Sequence, residues 1–375
     1  MLTRKGVLLM RVLGKLWVLI ALVILTSWAP SSARAVAESG QGPKLTSIGP
    51  LTFSQDGTLF AADNQSAAIY ALDLGAQGTA AAAGAKGVDG LDQKLAAMLG
   101  TDAREISVTD LAVHPRSRNA FVSVMRGQGA GATPVLFRVD GTGKIEMVSL
   151  TSVKFQKVDI VNAPTANPGA RQNPRASVVT DMAFADGRLW VAGLSNEEFA
   201  SKLRAIPYPF ANVDAGTSVE IYHGNHRQLE TRSPVNAFVP YMVNNQPYLL
   251  AGYTCTPLVK FPIGDLKPGQ KVRGTTIAEF GAGNRVLDMI VYKKGTQEFL
   301  LTANNSRGVM KIPTKDFATA AAITTPVETE TGGIAYEKVT SMQGIEQLDK
   351  LDDQNSIVIA RASGGAMNLQ VVPLP

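Results

Sequence analysis

The chain has 375 residues, 45% hydrophobic and 18% charged, with 35 Gly, 20 Pro and a single Cys. One Cys excludes an internal disulfide framework, Cys-rich zinc sites, iron–sulfur clusters and haem attachment through C-x-x-C-H. The formal charge of +5 is carried by the first 37 residues and gives no ground for a nucleic-acid partner.

Arg4, Lys5, Arg11 and Lys15 precede or flank an uncharged, mostly apolar run from Leu16 to Ala29. Ala33-Arg34-Ala35 and Ala35-Val36-Ala37 then offer small-x-small cleavage sites. The pattern predicts a secretory signal peptide over 1–37 and a single domain over 38–375. As a helix the apolar run rises about 21 Å, short of the roughly 30 Å hydrocarbon core, which argues against a membrane anchor. With no Arg-Arg pair ahead of the run and no Cys at the cleavage sites, a Sec-type route is expected. The leader holds five of the 36 basic residues (Arg4, Lys5, Arg11, Lys15, Arg34) and none of the 31 acidic ones, so the mature chain is neutral. It is expected to be soluble, periplasmic or secreted, with no membrane span. Its expected partner is a small molecule or another periplasmic protein, not nucleic acid.

The mature chain repeats a three-strand unit. The first reads Leu51–Ser54, the turn Gln55-Asp56-Gly57, Thr58–Asp63 and Ala68–Leu72. An Ala/Gly run over Gly75–Gly87 reads as a flexible loop, and Leu91–Leu99 has the spacing of a short inserted helix. Thr109-Asp110-Leu111-Ala112-Val113 opens the second unit, with strands at Ala120–Met125 and Val135–Val139. Thr180-Asp181-Met182-Ala183-Phe184 opens the third, with Arg188–Leu194 and a weaker strand near Leu203–Ile206. Asn196–Phe210 is long for a connection; Phe199, Leu203 and Ile206 share helical spacing, and Tyr208-Pro209-Phe210 reads as an aromatic anchor. The fourth unit runs Val235–Val243, Pro247–Thr254 and Leu258–Pro262. Leu287-Asp288-Met289-Ile290-Val291 opens the fifth, with Glu298–Asn304 and Gly308–Ile312. Ile345–Leu351, Ser356–Arg361 and Leu369–Val372 make the sixth.

Inner strands thus begin near 51, 111, 182, 235, 289 and 345. Units of three or four short strands at a period of about 40–50 residues, here lengthened by insertions, predict an all-β fold, a β-propeller. Six blades are expected; a seventh would need a cryptic unit across 141–176. Each small sheet has apolar faces that it can bury only against its neighbours. The segment Phe53-Ser54-Gln55-Asp56-Gly57-Thr58-Leu59-Phe60-Ala61-Ala62-Asp63 resembles the "f-s-x-D-G-x-l-y-v-a-D" blade of the YVTN-repeat, NHL-repeat, quinoprotein-like and gluconolactonase-like propellers.

That resemblance implies that the connections into each inner strand, and those between second and third strands, share one face of the channel. The first set carries Asp110, Asp181 and Asp288; the second offers Asn64, Arg126, Asn196, Glu197, Asn304 and Arg307 as ligand-binding candidates. Three carboxylates around an axis could hold Ca²⁺ or another divalent cation. Alternatively each fixes its turn by accepting backbone N–H groups, the reading favoured by their recurrence in step with the repeat. His223, His226 and Glu230 could ligate a metal or serve as a base, with a solvated loop as the alternative. Because His223 and His226 lie just before the fourth inner strand, at least one is expected at the rim of the central pocket. His114, in a turn, is expected at the surface, and Cys255 as a buried inert thiol.

Whether the protein is an enzyme stays open at this point. No complete catalytic constellation assembles, which favours a binding or interaction module acting through the channel mouth. The alternative is a metal-dependent hydrolase of the gluconolactonase-like type. That group's metal site has a Glu in the first inner strand, where this chain has Ile48-Gly49-Pro50-Leu51. A subunit related to quinone-linked dehydrogenases is a further alternative.

Overall fold

The computed structural model describes residues 36–38, 41–78, 85–167, 173–255 and 257–375. The predicted leader lies outside these except for Val36 and Ala37, and residues 79–84 of the Ala/Gly run lie outside them too. Six sheets of three or more strands, antiparallel except where Lys271–Arg273 pairs parallel with Thr217–His223, form the blades. Their inner strands are Leu51–Phe53, Ile106–Val113, Asp181–Ala185, Val235–Val243, Val286–Lys294 and Ile345–Lys350, defining blades 1 to 6. Second strands such as Leu59–Asp63 and Arg188–Leu194 are buried almost throughout, because a blade packs on either face. This is why they read as unbroken apolar runs rather than as alternating patterns.

The blades do not follow one another round the ring in chain order. Inner-strand contacts join blade 1 to blades 2 and 3, then blade 3 to 4, 4 to 5, 5 to 6, and 6 to 2. Six apolar clusters fill these six seams. After the third strand of blade 1, Ala68–Asp73, the chain builds blade 2, with strands Ala120–Arg126, Thr133–Val139 and Ile145–Met147. It then returns as Lys154–Asp159 to pair with Ala68–Asp73, placing Phe155 opposite Leu72. Val36–Glu38 pairs along the outer edge of that returning strand. The stretch 141–176 therefore supplies outer strands to blades 1 and 2, not a seventh blade.

Blade 6 has three strands, the outer two being Asn355–Arg361 and Met367–Pro373, and its outer edge is finished from far away in sequence. Val88 and Leu369 exchange two backbone hydrogen bonds, 2.8 and 2.9 Å long. The helix Leu91–Met98 follows, and its Leu91, Leu95 and Ala96 join Ile357, Ile359 and Leu369 in one cluster. The inserted helix thus closes the ring between blades 2 and 6.

Asn196–Phe210 contains no helix. Ser201–Pro207 is the third strand of blade 3, paired with Arg188–Leu194 along its whole length. Leu203 and Ile206 face opposite seams, toward blades 4 and 1, as a period of two requires. Tyr208 and Phe210 are not a surface anchor: their rings pack on Phe60 of blade 1, at 4.9 and 5.8 Å. No helix among the described residues is long and apolar enough to cross a membrane.

Candidate functional site

The six inner strands surround a channel with a cavity of about 400 Å³. In blades 2, 4, 5 and 6 the pairing of the first two strands slips by one residue, at Val108/Asp110, Val235/Ala237, Val286/Asp288 and Ile345/Gln347. Such bulges re-aim a side chain at a strand's end. Asp110, Asp181 and Asp288 occupy the equivalent position in blades 2, 3 and 5, where blades 1, 4 and 6 have Pro50, Ala237 and Gln347. In ring order the aspartates fall on alternate blades, a three-fold arrangement that the linear repeat conceals.

Each carboxylate straps two blades together. Asp110 accepts from the amides of Leu111 (2.8 Å) and Leu51 (2.6 Å). Asp181 accepts from Met182 (2.7 Å) and Phe238 (2.6 Å), and Asp288 from Met289 (2.8 Å) and Leu348 (2.8 Å). The first amide belongs to the Asp's own strand and the second is its equivalent on the next blade. The turn-fixing reading therefore describes their backbone contacts, and the strap across a seam adds to it. Asp349, deeper on blade 6, does the same for the amides of Lys350 (2.6 Å) and Val113 (2.7 Å). Sequence reasoning missed Asp349; the Leu-Asp of Leu348-Asp349, like that of Leu287-Asp288, was the available signal.

All four carboxyls line the cavity among Ala112, Ala183, Val239 and Ile290. Channel space reaches them, so they keep some accessible surface, yet protein encloses them. Desolvation is the main force raising their pKa, to about 7 for Asp181 and about 6 for Asp349. Asp110 and Asp288 are raised well above the ordinary range by desolvation and by repulsion from the other aspartates. Their hydrogen-bond partners are backbone amides. Lys350, the one basic residue among those lining the cavity, turns its Nζ to Asp353 at 2.7 Å. Among the described residues, the ring thus concentrates acidic groups with no cationic side chain to answer them.

Direct chelation of one ion by three ligands at about 2.4 Å requires their atoms within about 4.8 Å of one another. Among the described residues, one trio meets that limit: His223, His226 and Glu230. The three aspartates face one space without forming a ready-made chelate.

The remaining sequence candidates do not converge on the cavity. Asn64 clamps blade 3's lead-in segment, donating to the carbonyls of Ala176 (2.8 Å) and Val179 (2.9 Å). Arg126 and Asn196 are exposed at strand ends. Glu197 pairs with the buried Lys202, and Arg307 with Glu330. Asn304 caps its own turn, accepting from Ser306 (2.9 Å) and Arg307 (2.8 Å), and borders a separate groove with Gln347. Small polar residues at these connections satisfy orphan backbone groups, a task the linear pattern does not distinguish from ligand binding.

His223 and His226 lie far from the pocket rim expected for them. His223 ends the fourth strand of blade 3, Thr217–His223, and Glu230 ends a fifth, Gln228–Glu230. The two added outer strands displace the pair to the periphery. His114 is buried rather than exposed; its Nδ1 accepts from the Ser117 amide at 3.0 Å. Cys255 is half-buried, with the Gly283 amide 3.4 Å from its Sγ.

No family model matches the chain, and no curated protein does. Among solved structures it is similar to the PQQ-bound aldose sugar dehydrogenase of Streptomyces coelicolor, at 11% identity and a TM-score of 0.32, covering 92% of this chain and 100% of that one. It is also similar to the extracellular domains of Drosophila semaphorin 1b (10%, TM-score 0.33, 92% and 87% covered). A gluconolactonase-like structure matches at 10% and 0.33, with 92% and 95% covered. Likenesses this distant carry no argument about activity. The six sheets, their six apolar seams and the channel they enclose make this chain a six-bladed β-propeller.

Proposed function

We propose that the protein is a binding module that takes a small, positively charged, hydrogen-bond-donating ligand in its central channel. One observation carries this reading: three equivalent aspartates on alternate blades turn acidic groups into one cavity without a basic partner among the described residues. An enclosed carboxylate ring without a counter-charge is costly, and a cationic guest relieves that cost. The cavity's size suits a hydrated ion or a small organic cation. The leader motif, if cleaved as expected, sets this binding in the periplasm or outside the cell.

The test is thermal unfolding at pH 7.5 with Ca²⁺, glucosamine or glucose. The two cations are expected to raise the melting temperature, glucose is not, and Asp181→Asn together with Asp288→Asn should abolish the rise. No rise with either cation, or an equal rise in the double variant, would overturn the reading. A hydrolase of the gluconolactonase-like type is the second reading. It is favoured by Asp181 at about 7 and Asp349 at about 6, values suited to proton transfer near neutrality. Turnover of a sugar lactone, lost in Asp349→Asn, would select it over simple binding.

A further inference from the structure

The histidine pair that the channel leaves aside gathers at the outer seam between blades 3 and 4. Antiparallel pairing of Thr217–His223 with Gln228–Glu230 sets Ile221 opposite Glu230 and His223 opposite Gln228. The turn between them carries His226 back over the same edge. The Nδ1 atoms of both imidazoles face the Glu230 carboxylate, His223 at 3.1 Å from Oε2 and His226 at 2.5 Å from Oε1. The two rings lie 3.7 Å apart between centroids. Ser233 Oγ donates to Glu230 Oε2 at 2.5 Å and holds the carboxylate in place.

His223 is the informative member. Its side chain is fully buried, yet neither ring nitrogen is aligned in a hydrogen bond. Buried polar groups are almost always satisfied, and a buried imidazole whose nearest acceptor, Glu230 Oε2 at 3.1 Å, is poorly aligned, with a second imidazole beside it, marks a place for a further atom. Behind it, His223 Nε2 faces Glu279 Oε2 at 3.7 Å. Glu279, on the strand Thr275–Glu279 of blade 4, is buried and fixed by the Gly224 amide (2.6 Å) and Asn225 Nδ2 (3.2 Å).

We propose that His223, His226 and Glu230 form a site for a divalent transition metal, Zn²⁺ by its ligand chemistry, with Glu279 orienting His223 from the far side of the ring. Two imidazoles and one carboxylate suit Zn²⁺ and its neighbours rather than Ca²⁺ or Mg²⁺, which take oxygen ligands. A tetrahedral site with bonds of about 2.0 Å has ligand–ligand edges of about 3.3 Å, so the observed spacings need only small adjustments. A carboxylate behind a ligating His fixes its tautomer and raises its basicity, the role open to Glu279. The fourth position is left for water.

The placement also gives the metal something to hold. Between the third and fourth strands of blade 5, the chain crosses to blade 4, where Gly332–Gly333 pairs with Ala278 and Glu279. On the way the Val327 amide donates to the Gly224 carbonyl at 3.2 Å. A Cβ at Gly224 would meet Val327 Cγ2 at 2.7 Å and Glu279 Oε1 at 3.2 Å, so these side chains would have to move to admit one. A metal clamping the His turn would fix the point where blades 3, 4 and 5 meet at the rim.

The experiment uses the untagged protein stripped with chelator and titrated with Zn²⁺ by calorimetry and with Co²⁺ by visible absorption. One equivalent is expected to bind tightly at the His cluster, Co²⁺ there giving the intense bands of tetrahedral coordination, which an oxygen-ligated ion in the channel does not give. His226→Ala, at a partly exposed position, and Glu230→Gln should each weaken binding at least tenfold, and Glu279→Gln about tenfold or more. Arg126→Ala, at an exposed strand end outside both the channel and the His cluster, should leave the affinity unchanged. Absence of stoichiometric binding, an octahedral Co²⁺ spectrum, or undiminished affinity in a folded His226→Ala protein would overturn the proposal.

Discussion

Replacing Asp181 by Asn should reverse in sign with pH. The Asp181 carboxyl has an ordinary value of 3.8 and titrates at about 7 in the fold, chiefly because it is desolvated. The folded state therefore holds a proton that the unfolded chain has released between those values. Stability from this group is complete below pH 3.8 and is lost as pH rises through 7. Over a shift from 3.8 to about 7, at about 1.4 kcal/mol per pH unit, the loss is about 4–4.5 kcal/mol, an upper bound because channel water screens the charge. Asn cannot ionise, so it escapes that loss. Its amide keeps one acceptor for the Met182 and Phe238 N–H groups and sets a donor against the other, costing about 1–3 kcal/mol at every pH. Asp181→Asn should thus be less stable than the wild type at pH 4 and equal or more stable at pH 8. Removing the charge also eases Asp110 and Asp288, on which Asp181 acts as a repulsive neighbour. Urea unfolding of both proteins in chelator-treated buffer, from pH 4 to 8, measures the difference directly. If that difference does not change with pH, Asp181 ionises as an ordinary surface acid, and the account of an enclosed carboxylate ring is wrong.

Asp288→Ala at pH 5 should lose about 2–4 kcal/mol, since the Met289 and Leu348 amides both lose their acceptor; calorimetry checks it. Leu95→Ala, in the cluster joining the helix to blades 2 and 6, should cost about 2–5 kcal/mol and speed hydrogen exchange first at Val88 and Leu369. Gly193→Ala would set a Cβ 2.1 Å from the Val178 carbonyl oxygen and should destabilise by about 1–3 kcal/mol or more in chemical denaturation. For the leader, mass spectrometry of the exported protein should find its N-terminus after Ala35 or Ala37, with Leu16–Ala29 gone.

Strand positions were legible in the sequence because each is a local pattern. Arg188–Leu194 and Pro257–Pro262 lie within a residue of the runs read from alternation and turn residues. The matching of Asp110, Asp181 and Asp288 was legible too, since each stands just before a buried Leu or Met. Ser201–Pro207 was harder to read. Its apolar residues serve two different seams, so Leu203 and Ile206 fall at a spacing that a helix shares.

What the sequence alone determined was the blade as a unit, since a strand's hydrophobic period and its turn residues depend only on near neighbours. Tertiary structure decided the order of the blades, and with it the function of the aspartates. Blade 2 lies between blades 1 and 6 because Lys154–Asp159 pairs with Ala68–Asp73 and Val88 with Leu369, contacts across about 80 and 280 residues. Only in that order do the three aspartates alternate around the channel, and only the enclosure by six packed blades raises their pKa values. The His pair went to the periphery of blade 3, away from the channel, for the same kind of reason. The pairing partners of an outer strand are chosen by the whole ring, and no local pattern near His223 records how many strands will precede it outward from the axis.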